Sequence, residues 1–215
     1  MTSSAARMTP TRRYFERRAE AFDRLYTRQS AGTRLLRVGP RRSRDLAVSV
    51  VARHKAPSVL DVGCGPGRVG EAVVEAGAAS YVGVDFSPHM LRLARARLAG
   101  LESVRLIDSD FFDLELPEKF DVVLALGLFD YLDDPARAAA WMRVHCAETL
   151  VATFSRWDRI KTPIRRLHYE VVHRCPIYFY VEADAEALLR GVGFARVEFV
   201  SRGPRGFFVT ASPSP

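Results

Sequence analysis

The sequence predicts an α/β protein built on one seven-stranded, mostly parallel sheet with helices on both faces. Three observations carry this reading. From Ser58 onward, short apolar runs rich in Val, Leu and Ile recur between helix-length segments. Several of these runs are continuously apolar, which marks strands buried on both faces, hence parallel pairing and right-handed crossovers. The 215 residues supply one such domain with a full core and not two large ones.

Residues 11–28 place Tyr14, Phe15, Ala19, Phe22, Leu25 and Tyr26 at helical spacing, and a second helix is expected over 43–54, before Pro57. Ser58–Val62 is a strand that runs into a Gly-rich turn and a short helix from Arg68 to about Ala76. Tyr81–Asp85 is the next strand. Ser87 then caps a helix with Pro88 at its first position, and Gly100 ends it. Val104–Asp108 and Phe120–Leu126 are strands. Asp134-Pro135 opens a helix to about Cys146, and Thr149–Ser155 is a strand again. Residues 156–181 break the rhythm and are expected to be irregular. A helix over Glu182–Gly191 precedes two closing strands, Ala195–Val200 and Gly206–Ala211, the last one antiparallel. The first ten residues are expected to be disordered.

Hydrophobic residues make up 48% and charged residues 27%, ordinary for a globular protein, and no apolar run reaches the ~20 residues a membrane helix needs. The N-terminus lacks a secretory apolar stretch. Cys64, Cys146 and Cys175 form no C-x-x-C pair, which argues against a disulfide framework or structural zinc and for a reducing, cytoplasmic setting. The net charge is +7, with twelve Arg between Arg7 and Arg44 against Glu16, Glu20, Asp23 and Asp45. Such a stretch is either a solubilising surface or a contact for nucleic acid, anionic lipid or an acidic substrate.

The most informative segment is Val59-Leu-Asp-Val-Gly-Cys-Gly-Pro-Gly67. An apolar strand ends near Asp61 and continues into alternate glycines, Gly63, Gly65 and Gly67, which let backbone approach a ligand without Cβ clashes. The second strand ends in Asp85, a carboxylate placed to accept both hydroxyls of a ribose. Gly65 to Gly70 also fits G-x-G-x-x-G, with Asp85 at the NAD spacing. Two features oppose that dinucleotide. The first glycine after the strand is Gly63, giving G-x-G-x-G, and Asp61 repels a pyrophosphate while suiting a cation.

These residues resemble the class I S-adenosylmethionine (SAM)-dependent methyltransferases over about residues 58–155, and the resemblance implies a Rossmann-like fold. It implies that Asp61, Gly63, Cys64, Gly65 and Gly67 hold the methionyl part of SAM and that Asp85 binds the ribose. Phe86 and Met90 would pack on the adenine, whose edge Asp110 and Phe111 would read. Ala125 and Leu126 would line the methyl-donor end. Tyr14–Tyr26 and Cys175–Tyr180 resemble a bacterial small-molecule subgroup in which an N-terminal helix closes as a lid, making Tyr14 a cofactor contact. On this basis residues 1–45 form a helical lid or arm, and 46–215 the methyltransferase domain with a substrate-side insertion at about 156–181.

In-line methyl transfer asks mainly for alignment, and for a general base only where the acceptor must lose a proton. His168, Tyr169, His173 and Tyr178, in the basic and aromatic insertion, are the candidates. The fourth strand lacks the Asn/Asp-Pro-Pro-Tyr run of adenine- or glutamine-directed enzymes. Asp130, Asp133 and Asp134 lie near the same end, but Asp134 reads as a helix cap, so no metal is assigned. The leading expectation is methylation of an O or N atom of a small anionic or aromatic acceptor by a monomer or homodimer without a membrane span. The alternatives are an RNA methyltransferase using the Arg-rich N-terminus and a catalytically silent SAM-binding sensor or partner subunit.

Overall fold

The computed structural model describes residues 9–27 and 38–214, the side chains of Phe22, 24–27 and 38–41 apart; the expected disorder of residues 1–8 lies outside them. In chain order the elements are α1 (Pro10–Thr27), α2 (Val38–Val51), β1 (Ser58–Val62), α3 (Arg68–Glu75), β2 (Ser80–Asp85), α4 (Pro88–Arg97), β3 (Val104–Asp108) and β4 (Phe120–Ala125). There follow α5 (Pro135–His145), β5 (Cys146–Ser155), α6 (Lys161–His168), α7 (Glu182–Gly191), β6 (Arg196–Arg202) and β7 (Gly206–Ser212). They build a seven-stranded sheet in the order β3-β2-β1-β4-β5-β7-β6. Only β7 is antiparallel, to both β5 and β6.

Strand order reverses between β1 and β4, which pair in parallel with Leu60 opposite Val123. The chain leaves β1 toward one side and returns on the other, opening a crevice at the carboxyl ends of the strands. One face of the sheet buries Val59, Val122 and Leu124 beneath α2, α3 and α4. The other buries Leu60, Val62 and Val123 beneath α5 and α7, with Phe129, Phe154 and Phe207 stacked at its centre. Strands covered on both faces explain the continuous apolar runs.

The expected caps are present. Ser87 Oγ accepts from the Met90 N–H at 3.2 Å, and an Asp134 carboxylate oxygen accepts from the Arg137 N–H at 2.9 Å. Two boundaries differ from expectation. Helix α2 starts at Val38 and runs across residue 45, because Pro40 falls in its first turn, where a missing N–H costs nothing. Its Ala47, Val50 and Val51 are core. The insertion is not irregular. α6 continues through a single π-type turn, Tyr169–His173, that stops at Arg174, whose φ is +50°. Asp158 caps it by accepting from the N–H groups of Ile160 and Lys161.

Candidate cofactor and acceptor site

The loop after β1 is folded over the end of β2. The N–H groups of Gly63 and Cys64 both donate to the Val84 carbonyl, at 2.8 and 3.1 Å. Gly65 has φ +53°, and a Cβ placed on it would meet nothing within 4 Å. Glycine is therefore required there by backbone conformation, and the space above it is open. Gly67 differs: a Cβ there would lie 3.1 Å from the Ala94 backbone, so its role is close packing of the loop on α4. Cys64 joins the loop through its backbone, since its buried side chain belongs to the core beneath the sheet.

Two carboxylates face this loop from below. Asp85 accepts from the Gly65 N–H through one oxygen and from the Ser87 N–H through the other, each at 2.8 Å. Burial raises its pKa to about 6; those two N–H bonds pull the other way, and Asp108 and Glu16 add to the rise. Asp61, 2% exposed, accepts from the Tyr81 hydroxyl at 2.8 Å. Burial pushes it to about 7, the Tyr81 hydrogen bond opposes this, and Asp85 adds to it. A cation beside Asp61 would favour its ionised form.

Across the crevice, Asp110 caps a short 3-10 turn, Phe111–Asp113, accepting from the Phe112 N–H at 3.1 Å. The Phe111 ring is buried against Phe112 and Trp141. Met90 is 2% exposed in the first turn of α4, and Phe86 is half-buried beneath Arg12 and Phe15. Beyond Ala125 and Leu126 the Gly127 N–H donates to Thr153 Oγ1 at 2.6 Å.

Helix α1 closes over the crevice and is held at both ends. Asp23 accepts from Arg68 Nε at 2.9 Å and from Arg97 at 2.9 Å, while Arg97 also donates to the Pro66 carbonyl of the Gly-rich loop. Burial would raise Asp23, but the two guanidinium groups outweigh it and hold the carboxyl below the usual range. Near the other end Tyr14, 6% exposed, packs on Tyr131, Tyr169 and His173 with ring centroids 6.3, 5.9 and 5.4 Å away. Arg18 lies 3.0 Å from Nε2 of His173. Between these anchors sits Glu16, whose Oε1 is buried without a hydrogen-bond partner among the described residues. Sequence reading assigned Glu16 only to the surface charge; its helical phase two residues after Tyr14 gives no clue to it.

Of the acceptor-side residues, His168, Tyr169 and His173 come together, with His168 and Tyr169 ring centroids 4.9 and 5.3 Å from His173. Burial, then Arg18 and His168, lower the His173 pKa. Tyr178 stands separately, donating to Asp133 at 2.6 Å. Asp130 commits both carboxylate oxygens to the Ser155 N–H and hydroxyl, each at 2.7 Å, fixing the turn after β4 to the end of β5.

A crevice at the β1/β4 reversal, a strand–Asp–Gly loop and a carboxylate ending β2 define a class I SAM-dependent methyltransferase fold. The family model described as "Methyltransferase domain" matches residues 59–147, under half of the chain. Over 104 residues the chain is 36% identical to ubiquinone biosynthesis O-methyltransferase of Stutzerimonas stutzeri, covering 46% of this chain and 44% of that protein. Over 95 residues it is 41% identical to ribosomal RNA small subunit methyltransferase H of Acidothermus cellulolyticus, covering 40% and 29%. The chain thus spans under half the length of these curated relatives. Among solved structures, magnesium protoporphyrin IX methyltransferase from Synechocystis PCC 6803 with bound SAH superposes with a TM-score of 0.75 at 22% identity, covering 94% of this chain and 98% of that one. At that identity the likeness shows the shared fold.

Proposed function

We propose that this protein transfers the methyl group of SAM to an O or N atom of a small-molecule acceptor. The observation that carries the reading is the pair of buried carboxylates, Asp61 and Asp85, beneath a loop whose Gly65 faces open space at the strand-order reversal. The donor set fits SAM. Asp61 offers negative charge to its cationic methionyl end, Asp85 accepts from the ribose hydroxyls, and Asp110 with the Phe111 N–H reads the adenine edge that Phe86 and Met90 flank. Glu16, with an unsatisfied buried oxygen on the lid, is a further contact. Bound SAM supplies an electrophilic methyl on a sulfonium.

The chain's own task is then alignment and exclusion of water. The Ala125–Leu126 backbone and Tyr14 wall the methyl-donor end, and α1 closes above it. For an acceptor that must shed a proton, the His168–Tyr169–His173 group is nearest the lid. His173 offers a ring nitrogen for that proton, but Arg18 must leave Nε2 first; opening of α1 would free it.

Titration calorimetry with SAM, S-adenosylhomocysteine and NADH tests the cofactor. Binding of the first two alone supports the reading, and binding of NADH alone overturns it. Turnover on a panel of phenolic and amine acceptors, with labelled SAM, then separates an enzyme from a silent SAM-binding protein. Strongly salt-dependent RNA binding with RNA methylation would move the acceptor to nucleic acid.

A further inference from the structure

The insertion has inverted amphipathicity. Thr162, Arg165, Tyr169 and His173 recur at intervals of three and four residues and face the protein. Thr162 is 6% exposed, Arg165 lies over the Phe179 ring, and Tyr169 and His173 pack on Tyr14. The opposite face, Ile160, Ile164, Leu167 and Val171, is the apolar one, and it points to solvent with each side chain 63 to 73% exposed. Trp157 extends the row at its start, 49% exposed, and Val172 widens its end. A helix on a globular surface normally turns such a row inward. Here α6 is capped by Asp158 and anchored by its polar face, so the row is displayed by construction.

The charges beside the row say what covers it. Arg159, Lys161 and Arg174 are exposed, and the stretch from Arg156 to Arg174 carries six Lys or Arg against Asp158 and Glu170. The ridge is mostly aliphatic, about 20 Å long at 1.5 Å per residue and one side chain wide. Apart from Trp157 at its start, the row lacks the large aromatic anchors that protein partners use. Aliphatic side chains edged by cations suit the boundary between acyl chains and anionic headgroups.

We infer that the α6 ridge is an interfacial membrane anchor, seating Ile160, Ile164, Leu167 and Val171 in an anionic bilayer with Arg159 and Lys161 at the headgroups. This inference does not depend on the methyl-transfer reading. The anchored helix is also the one whose inner face meets the lid at Tyr14. A bilayer on its outer face therefore lies beside the mouth of the acceptor site.

The test is flotation of the full chain with vesicles of phosphatidylglycerol and phosphatidylcholine, compared with phosphatidylcholine alone. Partitioning onto the anionic vesicles, weaker in high salt, is expected. Ile164→Asp with Leu167→Asp should lower it at least ~10-fold while leaving the melting temperature and SAM binding in place. Lys161→Gln should cost about 5-fold, the scale of one cation at an anionic surface. Three results overturn the inference: no partitioning above neutral vesicles, equal partitioning of the double variant, or a dimer in ultracentrifugation that the double variant dissolves. The last would assign the ridge to a second copy of the chain. Failure here with SAM binding intact leaves the methyl-transfer reading standing.

Discussion

The two ends of the crevice are built by opposite means. On the cofactor side, most links run through the backbone, between neighbouring residues or adjacent strand ends: Asp85 accepts from the Gly65 and Ser87 N–H groups and Asp110 from that of Phe112, and the loop is tied to the Val84 carbonyl. On the acceptor side, side chains hold side chains across long stretches of chain, as in Arg18 with His173 and Tyr14 with Tyr131 and Tyr169. Backbone donors keep their positions when residues change, so the first half is a fixed socket. A ring cluster repacks with each substitution, so the second half is where acceptor preference can vary without loss of the cofactor.

This contrast is open to direct attack, and the largest effect is expected at Gly65. Gly65→Val fills the open space above the loop and adds strain at φ +53°. Loss of SAM affinity of at least ~100-fold is expected by calorimetry, with the sheet still folded by circular dichroism. Normal affinity would show that the ligand sits elsewhere. Asp85→Ala comes next. It should weaken SAM by about 1.5–3 kcal/mol, the scale of hydrogen bonds to a charged group, and it also strands the Gly65 and Ser87 N–H groups.

The pH dependence follows from the same carboxylates. Asp85 and Asp61 titrate at about 6 and about 7, above their ordinary value of 3.8. A raised folded-state pKa gives stability that is fully present below about 4 and lost as pH rises through 6 to 7. The cofactor-free protein should therefore lose stability across that interval, and SAM affinity should rise over it as Asp61 ionises. Melting temperatures measured from pH 4 to 8 check this, and Asp61→Asn should flatten both trends at the upper end.

How far this was readable depends on where the partners lie in the chain. Asp61, Gly65 and Asp85 were legible because a strand, a turn and the next strand fix their separation within 25 residues. The seven strands, their mostly parallel pairing and the caps at Ser87 and Asp134 followed from the same local rules. Glu16, the Asp23–Arg68–Arg97 clasp and the Asp130–Ser155 tie were not, because such pairs are made by tertiary packing and leave no periodic trace. α6 was missed for another reason: its apolar spacing is helical, but a helix whose apolar face is not core breaks the rule by which helices are recognised.

Smaller effects probe the lid and the acceptor side. Asp23→Ala removes the clasp and leaves Arg68 and Arg97 without it. A cost of about 1 kcal/mol in SAM affinity, carried mainly by faster dissociation in stopped flow, is expected. The smallest effect on SAM is expected from Tyr169→Phe and His173→Ala. Each should leave SAM affinity within about 0.5 kcal/mol, the range of substitutions outside a binding contact, while changing turnover on the acceptor. A large loss of SAM binding in either would erase the division between socket and cluster.

The sheet order also bears on how the molecule comes into being. Among the described residues β6 pairs with no strand but β7, and β7 reverses direction to slot between β6 and β5. The last strand in chain order therefore sits inside the sheet and not at its rim. During synthesis, residues 58–125 can assemble the cofactor socket while β5 still shows a bare edge, Leu150 to Ser155. That edge is an aggregation hazard until residues 206–212 clear the ribosome and cover it. Stalled or clipped chains ending before Gly206 should thus be the ones a cell's chaperones and proteases must catch.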